Sequence, residues 1–318
     1  MTTGLPPFIS FIGHGAASLA QPAVFTGATS YAFGFAASRT AMQELVDTLL
    51  NPVGGTQVHY DVPVGIAMAS FMGIERCTSE TDAIGWEPGR ECALWVPLLE
   101  TDHTRGTLRL VLWTPYIFID YAIGMLTGRE VWGWPKVWGR ITLAGDAPGS
   151  PAAFGCATTL FDTLSPETQG RVAPLLTVTS SAPLPAPATS WASGRDAAKG
   201  LADALLPGLA AELADALLGE LSLSTVQLKQ FRDSLAPTLA CYQAIVNSPA
   251  QPTGFTGGGL LDASAFELGI TTCASHQIVR DLLGTAPSPG CTTVPLLFAA
   301  WLGFDFKALP GSVVVSTT

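Results

Sequence analysis

The sequence predicts an antiparallel α+β domain. Three observations lead there. Strand-type patterning dominates the first half, two of those strands are joined by a short polar turn, and helical spacing is confined to a few stretches. The chain has 318 residues, of which 48% are hydrophobic and 13% charged. That is enough apolar sequence for a large core and too little charge for disorder. Length alone would allow two domains, but β-rich domains also reach it as one unit, and a single domain over residues 1–318 is expected.

Nothing before Arg39 carries a formal charge, apart from the chain start. Pro6, Pro7, Gly13, Gly15 and Pro22 interrupt that stretch, and no basic residues open it. It reads as an N-terminal arm rather than a signal or membrane segment. Ala41 to Leu50 carries Met42, Leu45, Val46, Leu49 and Leu50 at helical spacing, and Asn51-Pro52 ends that helix. Cys92 to Pro97 is a strand stopped by its proline. Asp102, His103, Arg105 and Gly106 then supply a hairpin turn into Thr107–Trp113, and Tyr116 to Asp120 is a further short strand.

Pro183 to Ser193 is a proline- and serine-rich loop. Helical patterning follows from Asp196 to about Leu218, divided at Pro207-Gly208. It resumes over Ser224–Asn247, where Leu228, Phe231 and Leu235 begin an apolar stripe that Pro237 should kink. Together these make a helical insertion at about 195–247, either a packed hairpin of helices or a lid or dimer contact. After a turn at Gly257-Gly258-Gly259, strand character returns in Ala265–Thr271, Leu297–Asp305 and Val313–Ser316.

A net charge of −10 provides no electrostatic footprint for nucleic acid or an anionic membrane. The expected partner is a small molecule, with room left for a homo-oligomer. Cys77, Cys92, Cys156, Cys241, Cys273 and Cys291 form no CxxC pair and read as buried free thiols in a reducing, cytoplasmic setting. His14, His59, His103 and His276 show no metal-ligand spacing, so no metal is expected. Ser10, Ser70 and Ser193 stand outside any GxSxG elbow, and the triple glycine lacks the lysine of a phosphate loop.

The chain holds four lysines, and Lys136 has unusual neighbours. Val131-Trp132-Gly133-Trp134-Pro135-Lys136-Val137-Trp138-Gly139 gathers three of the eight tryptophans within four residues of it. An ordinary lysine is neutral in roughly one molecule per thousand at neutral pH. Removal from water favours the neutral amine, which attacks ketones and forms an iminium, an electron sink. The competing interpretation is a snorkelling lysine, its stem on the tryptophans and its head in water. Lys199 and Lys229 fall on solvated helix faces, and Lys307 follows an apolar run.

Gly128-Arg129-Glu130-Val131-Trp132-Gly133-Trp134-Pro135-Lys136 resembles the Gly-Arg-Glu, three residues, aromatic-Pro-Lys motif of acetoacetate decarboxylases. Several constrained positions recur together, where a bare Pro-Lys would carry nothing. Ile119-Asp120 resembles the strand-end aspartate of that superfamily, and Glu91 before Cys92-Ala93-Leu94-Trp95-Val96-Pro97 resembles its strand-opening glutamate. The likeness is strong over residues 91–143 and weaker at 31–50 and 266–315.

The resemblance implies a closed, cone-like β barrel with surrounding helices. It also implies a cofactor-independent lyase in which Lys136 forms a Schiff base with a carbonyl substrate. Glu91 would then face Lys136 and serve proton transfer or iminium orientation. Trp132, Trp134 and Trp138 are expected to bind substrate. Arg129 and Glu130 either pair and brace the loop or polarise the site. The sequence departs from the family in three places. Val137 stands where the best-known members have a second lysine. No arginine occurs around Tyr31, and apolar Phe71 and Met72 fall where a second glutamate is expected, with Glu75 nearby. These departures point to a β-keto acid larger or more apolar than acetoacetate. Aldolase, dehydratase or cyclase chemistry through the same lysine is the alternative, and a non-catalytic carrier of hydrophobic ligands is the other class.

Overall fold

Long stretches of alternating burial dominate the computed structural model, which describes residues 5–10, 13–14, 18–145, 151–180, 182–206, 223–286 and 288–317. Among these, the strands in chain order are β1 Ala23–Ala36, β2 Val58–Asp61, β3 Ile66–Ser79, β4 Trp86–Asp102 and β5 Thr107–Ile119. Next come β6 Lys136–Trp138, β7 Arg140–Thr142, β8 Ala153–Leu160, β9 Arg171–Ser180 and β10 Thr189–Ser190. The last are β11 Leu223–Arg232, β12 Ala240–Leu261, β13 Phe266–Thr271, β14 Cys291–Ala308 and β15 Ser312–Ser316. The helices are few: α1 Arg39–Leu49, α2 Asn51–Gly54, α3 Ala122–Thr127 and α4 Gly194–Leu205. The mixed α+β class expected from the sequence is present, with none of the helices long and apolar enough to cross a membrane.

Pairing runs β12–β11–β5–β4–β3–β1–β14, and β14 pairs again with β12, so seven strands form a closed cycle. All neighbours are antiparallel except β5 and β11, which share only two residue pairs, Leu112 with Thr225 and Trp113 with Val226. A second sheet, β13–β9–β8–β7, continues from β14. The main core lies between the cycle and this second sheet. On β4, Cys92, Leu94, Val96 and Leu98 point into it, meeting Phe154 and Leu176 of the second sheet and Met42 and Val46 of α1. Each such buried side chain contributes roughly 1.5–3 kcal/mol. Because strand side chains alternate, Glu91, Ala93 and Trp95 face the opposite way, here termed the inner face.

Two smaller apolar clusters cover the inner face. One gathers Phe25, Cys77, Ile119, Tyr121, Trp132 and Val246. The other gathers Ala32, Met68, Phe298 and Ala300 beneath Leu205 and Leu206 at the end of α4. α1 begins at Ser38, whose hydroxyl accepts from the Ala41 N–H at 3.2 Å, as an N-cap does. α1 ends at Leu49, before Asn51-Pro52 as expected, and those two residues open the separate short α2, since proline suits a first helical turn.

Several expectations change. Pro97 does not stop a strand, because β4 runs through it to Asp102. It sits where pairing with β3 has ended at Trp95 and pairing with β2 has not begun at Leu99, so no bond on that side is lost. The helix expected over Ser224–Asn247 is a hairpin of β11 and β12. Val226 and Leu228 pack toward the main core at period two, while Leu235, read as part of a helical stripe, is 94% exposed in the turn with Pro237. Of the expected insertion at about 195–247, α4 is helical and residues 207–222 lie outside the described residues. Gly257–Gly259 runs inside β12, where a Cβ on Gly259 would lie 1.9 Å from the Thr189 carbonyl oxygen. All six cysteines are free, but Cys241 and Cys291 are exposed rather than buried.

Candidate active site

β6 is three residues long and places one side chain, Lys136, inward. It pairs in parallel with β5, Lys136 beside Ile117. The loop before it turns sharply. Gly133 has φ +81°, and a Cβ there would meet the Lys229 backbone, so glycine is required on two counts. The Trp134 N–H then donates to the Gly128 carbonyl at 3.0 Å, and the Lys136 N–H donates to the Trp134 carbonyl at 2.7 Å. Arg129 donates to the Lys136 carbonyl at 3.0 Å. That bond ties Arg129 to the lysine's own backbone and does not involve Glu130, with which it was expected to pair. Glu130 is exposed, with its charge acting on Lys229.

Glu91 reaches the same point from β4. Its strand is fixed there by Asp120, whose carboxylate accepts from the Arg90 N–H at 2.7 Å. The Lys136 ammonium donates to Glu91 Oε1 at 2.7 Å, with the two side chains 10% and 13% exposed. The expected facing of Glu91 and Lys136 is thus present. Withdrawing either ion from water costs several kcal/mol, which the short pair offsets.

Two neighbours were not legible in advance. The Tyr121 hydroxyl donates to the same Glu91 oxygen at 3.1 Å. Burial and the Glu91 charge hold its pKa well above the usual phenol range, so it remains a donor. Cys77 lies beside it, and burial, then the Glu91 charge, pushes its thiol up to about 12. With tyrosine and thiol both neutral, the charges here are those of Lys136 and Glu91.

Gly128, a motif position, is a third neighbour whose contact with the lysine was not foreseen. A Cβ there would lie 2.6 Å from Lys136 Cδ and 2.8 Å from Cε. Gly128→Ala meets only a flexible side chain, and Gly128 itself is helical, with φ −59°. The variant is therefore expected to melt within a few degrees of the parent while losing most reactivity at Lys136. Thermal unfolding together with mass-detected labelling of the lysine measures both; a large drop in Tm with unchanged labelling would contradict it.

The tryptophans part company. Trp132 is buried and anchored by its indole N–H to the Leu309 carbonyl at 3.1 Å. Trp134 is half-buried and packs edge-on to Trp95 at 5.7 Å, and Trp95 donates to Ser70 at 2.7 Å. Trp138 is 43% exposed, with Val137 also exposed beside it, because β6 turns only Lys136 inward. Tyr31, around which the sequence lacks the family's arginine, packs on Phe154 in the main core, whereas Met72 pairs with Glu91 on the inner face. Arginines elsewhere are engaged: Arg39 binds the Val62 carbonyl, Arg90 the Ile141 carbonyl, Arg105 pairs with Asp102, and Arg76 lies over Trp86. None of these contacts involves Lys136 or Glu91. Among the described residues no group of three or more His, Cys, Asp or Glu side chains is arranged to hold a metal.

No protein-family model matches the sequence, and no curated protein does. Solved structures do match the fold. Acetoacetate decarboxylase from Legionella pneumophila superposes with a TM-score of 0.62 at 13% identity, over 99% of this chain and 94% of that one. An acetoacetate decarboxylase-like enzyme from Sphingomonas wittichii gives 0.61 at 14%, over 99% and 100%. The enduracididine biosynthesis enzyme MppR, complexed with the condensation product of pyruvate and imidazole 4-carboxaldehyde, gives 0.58 at 14%, over 98% of each chain. The chain has the acetoacetate decarboxylase-like fold. Within this acetoacetate decarboxylase-like frame, the residues that carried the sequence resemblance, Glu91, Asp120, Arg129 and Lys136, lie together at the edge where β4, β5 and β6 meet.

Proposed function

We propose that this protein is a cofactor-independent lyase that forms a Schiff base at Lys136 and decarboxylates a β-keto acid larger or more apolar than acetoacetate. The observation that carries this is the buried Lys136–Glu91 pair at 2.7 Å on the inner face of an acetoacetate decarboxylase-like fold. The closed cycle of strands is taken as the cone-like barrel of that fold, with the pair inside it.

Glu91 accepts the ammonium proton, and the Lys136 amine attacks the substrate ketone. Glu91 returns that proton to the carbinolamine hydroxyl, which leaves as water to give the iminium. The bond to the carboxylate breaks, carbon dioxide departs, and the electron pair enters the iminium to give an enamine. Glu91 then takes up a proton from solvent and delivers it to the enamine carbon, and water adds to the resulting iminium, releasing the ketone and freeing the lysine as its ammonium. Tyr121 holds Glu91 in place throughout by its hydrogen bond. Met72, Ala93 and Trp95 offer the substrate apolar surface rather than an ion pair, worth roughly 25 cal/mol per Å² buried. Free thiols throughout agree with a reducing, cytoplasmic setting.

A second reading keeps the iminium and replaces the decarboxylation step. The complex of MppR with a pyruvate condensation product favours aldol condensation or dehydration as that alternative. Borohydride trapping against a panel of β-keto acids and aldehydes, read by intact mass with carbon dioxide release measured in parallel, separates the two. A reduced adduct at Lys136 with carbon dioxide evolved, greater for long-chain or aryl β-keto acids than for acetoacetate, is expected. An adduct without carbon dioxide selects the second reading. Labelling confined to Lys199, Lys229 or Lys307 defeats both, and efficient acetoacetate turnover with no gain for larger acids defeats the size argument.

A further inference from the structure

Gln227 is completely buried, and among the described residues neither its amide nitrogen nor its carbonyl oxygen has a hydrogen-bond partner. A primary carboxamide brings two donors and an accepting oxygen, and burying them unpaired opposes folding. Side chains of that kind persist in proteins where something other than the fold satisfies them.

Its position says what that would be. Val226 and Leu228, on either side of it in β11, pack toward the main core. Gln227 therefore points to the inner face, as does its cross-strand partner Val246, which clusters with Trp132 and Tyr121. Pairing between β11 and β5 ends at Val226 and Trp113. Pairing between β6 and β5 begins at Lys136 and Ile117. Along that edge of β5, residues 114–116 have neither neighbour, and the gap has Gln227 at one end and Lys136 at the other. Three residues of strand span about 10 Å. Thr114 sits in the gap next to the last pair, fully buried, and its hydroxyl also has no partner.

We infer that Gln227, with Thr114 beside it, binds a neutral hydrogen-bonding group on the substrate, separated from the reacting ketone by an apolar spacer. This rests on Lys136 being the point where the ketone is held. The chemistry favours a hydroxyl, carbonyl or carboxamide over a carboxylate, because a carboxamide and a hydroxyl supply no positive charge. It also fits the surroundings of Lys136, where apolar side chains rather than an arginine face the substrate. A substrate of this class is an aryl or alkyl ketone bearing a remote phenol, alcohol or second carbonyl.

The test uses the full chain and two stable ketones, 4-phenyl-2-butanone and 4-(4-hydroxyphenyl)-2-butanone, which differ only in the remote hydroxyl. Calorimetric Kd values are compared for the parent, Gln227→Leu and Gln227→Met. The hydroxylated ketone is expected to bind the parent at least about tenfold more tightly than the phenyl ketone. Both variants should bring that ratio to within about twofold and melt no lower than the parent, since each removes an unpaired buried amide. Retained trapping of the phenyl ketone at Lys136 in the variants reports separately on the lysine. A Kd ratio that holds in the parent and collapses in the variants, with no trapping anywhere, sinks the Schiff-base step and leaves the Gln227 contact standing. Equal affinities in the parent, including binding of neither ketone, overturn the inference. So does a ratio unchanged by both substitutions, or a marked fall in Tm in both.

Discussion

Lys136→Met is expected to abolish the borohydride adduct and lower turnover on the order of 10⁵-fold. Covalent attachment makes the later steps intramolecular, and well-placed intramolecular groups act with effective molarities of about 10⁵–10⁸ M. The three other lysines stand elsewhere, and Lys199 is exposed on α4. Lys229 donates to the Val131 carbonyl and lies over Phe231 and Tyr242, and Lys307 pairs with Glu80. The same substitution carries a structural signature. It leaves the Glu91 carboxylate buried, with the Tyr121 hydroxyl but without its cation. Breaking a buried ion pair from one side costs about 3–5 kcal/mol, whereas replacing both partners by neutral groups of similar size is often close to neutral. Lys136→Met should therefore unfold at lower urea concentration, and Lys136→Met/Glu91→Gln should recover most of that loss without recovering turnover. Urea unfolding, intact mass and substrate assays on the three proteins measure it. If the single variant still turns substrate over at more than a hundredth of the parent rate, Lys136 is not the nucleophile.

How much of this was legible in the sequence depends on the range of the interaction that decides each feature. The Lys136 loop was legible because its constraints are local. Gly133, Pro135 and the aromatic at 134 fix a turn held by local backbone bonds, Trp134 N–H to the Gly128 carbonyl and Lys136 N–H to the Trp134 carbonyl. Glu91 was legible through the strand that carries it, although that strand begins at Trp86 and not at Glu91 as expected. Tyr121 was not, and Gly128 was visible as a motif position but not in its contact with the lysine. Tyr121 matters because β4 and β5 pair in a register that sets Glu91 opposite Ile119, two residues before it. Gly128 matters because the Lys136 stem folds back over it. Neither fact has a signature in local composition. The β11–β12 hairpin was misread for a related reason. Leu228, Phe231 and Leu235 satisfy a helical spacing by accident, while the pairing that overrides it joins residues up to 27 apart, Leu223 with Ala250. Trp138 shows the limit of reading an environment from proximity in sequence: it stands two residues from Lys136 and faces solvent. Gln227 carries no motif at all and is distinguished only by what surrounds it in the fold.

Glu91→Gln is expected to keep the lysine adduct and slow turnover by about 10²–10⁴-fold, the range for losing a positioned proton-transfer group. Glutamine has the same shape, and its carbonyl oxygen can still accept from the ammonium and from Tyr121. The position of Lys136 should therefore survive, and the fold with it, at the loss of stability that removing one charge of a buried ion pair carries. What disappears is a group that can take the ammonium proton at the start and return a proton to the enamine at the end. Both steps depend on one carboxylate because Tyr121 and Cys77 are held neutral by burial and by the Glu91 charge, and neither can replace it near neutral pH. The signature lies in which constant falls. A loss confined to kcat, with KM and trapped adduct close to the parent, is the outcome for proton transfer. Tyr121→Phe supplies the contrast, because it removes one hydrogen bond from Oε1 and leaves the carboxylate, so its effect on kcat should be nearer tenfold. Steady-state kinetics with borohydride trapping on both variants decides the matter. If Glu91→Gln loses adduct and turnover in equal proportion, Glu91 only positions the lysine, and the proton must travel by another group.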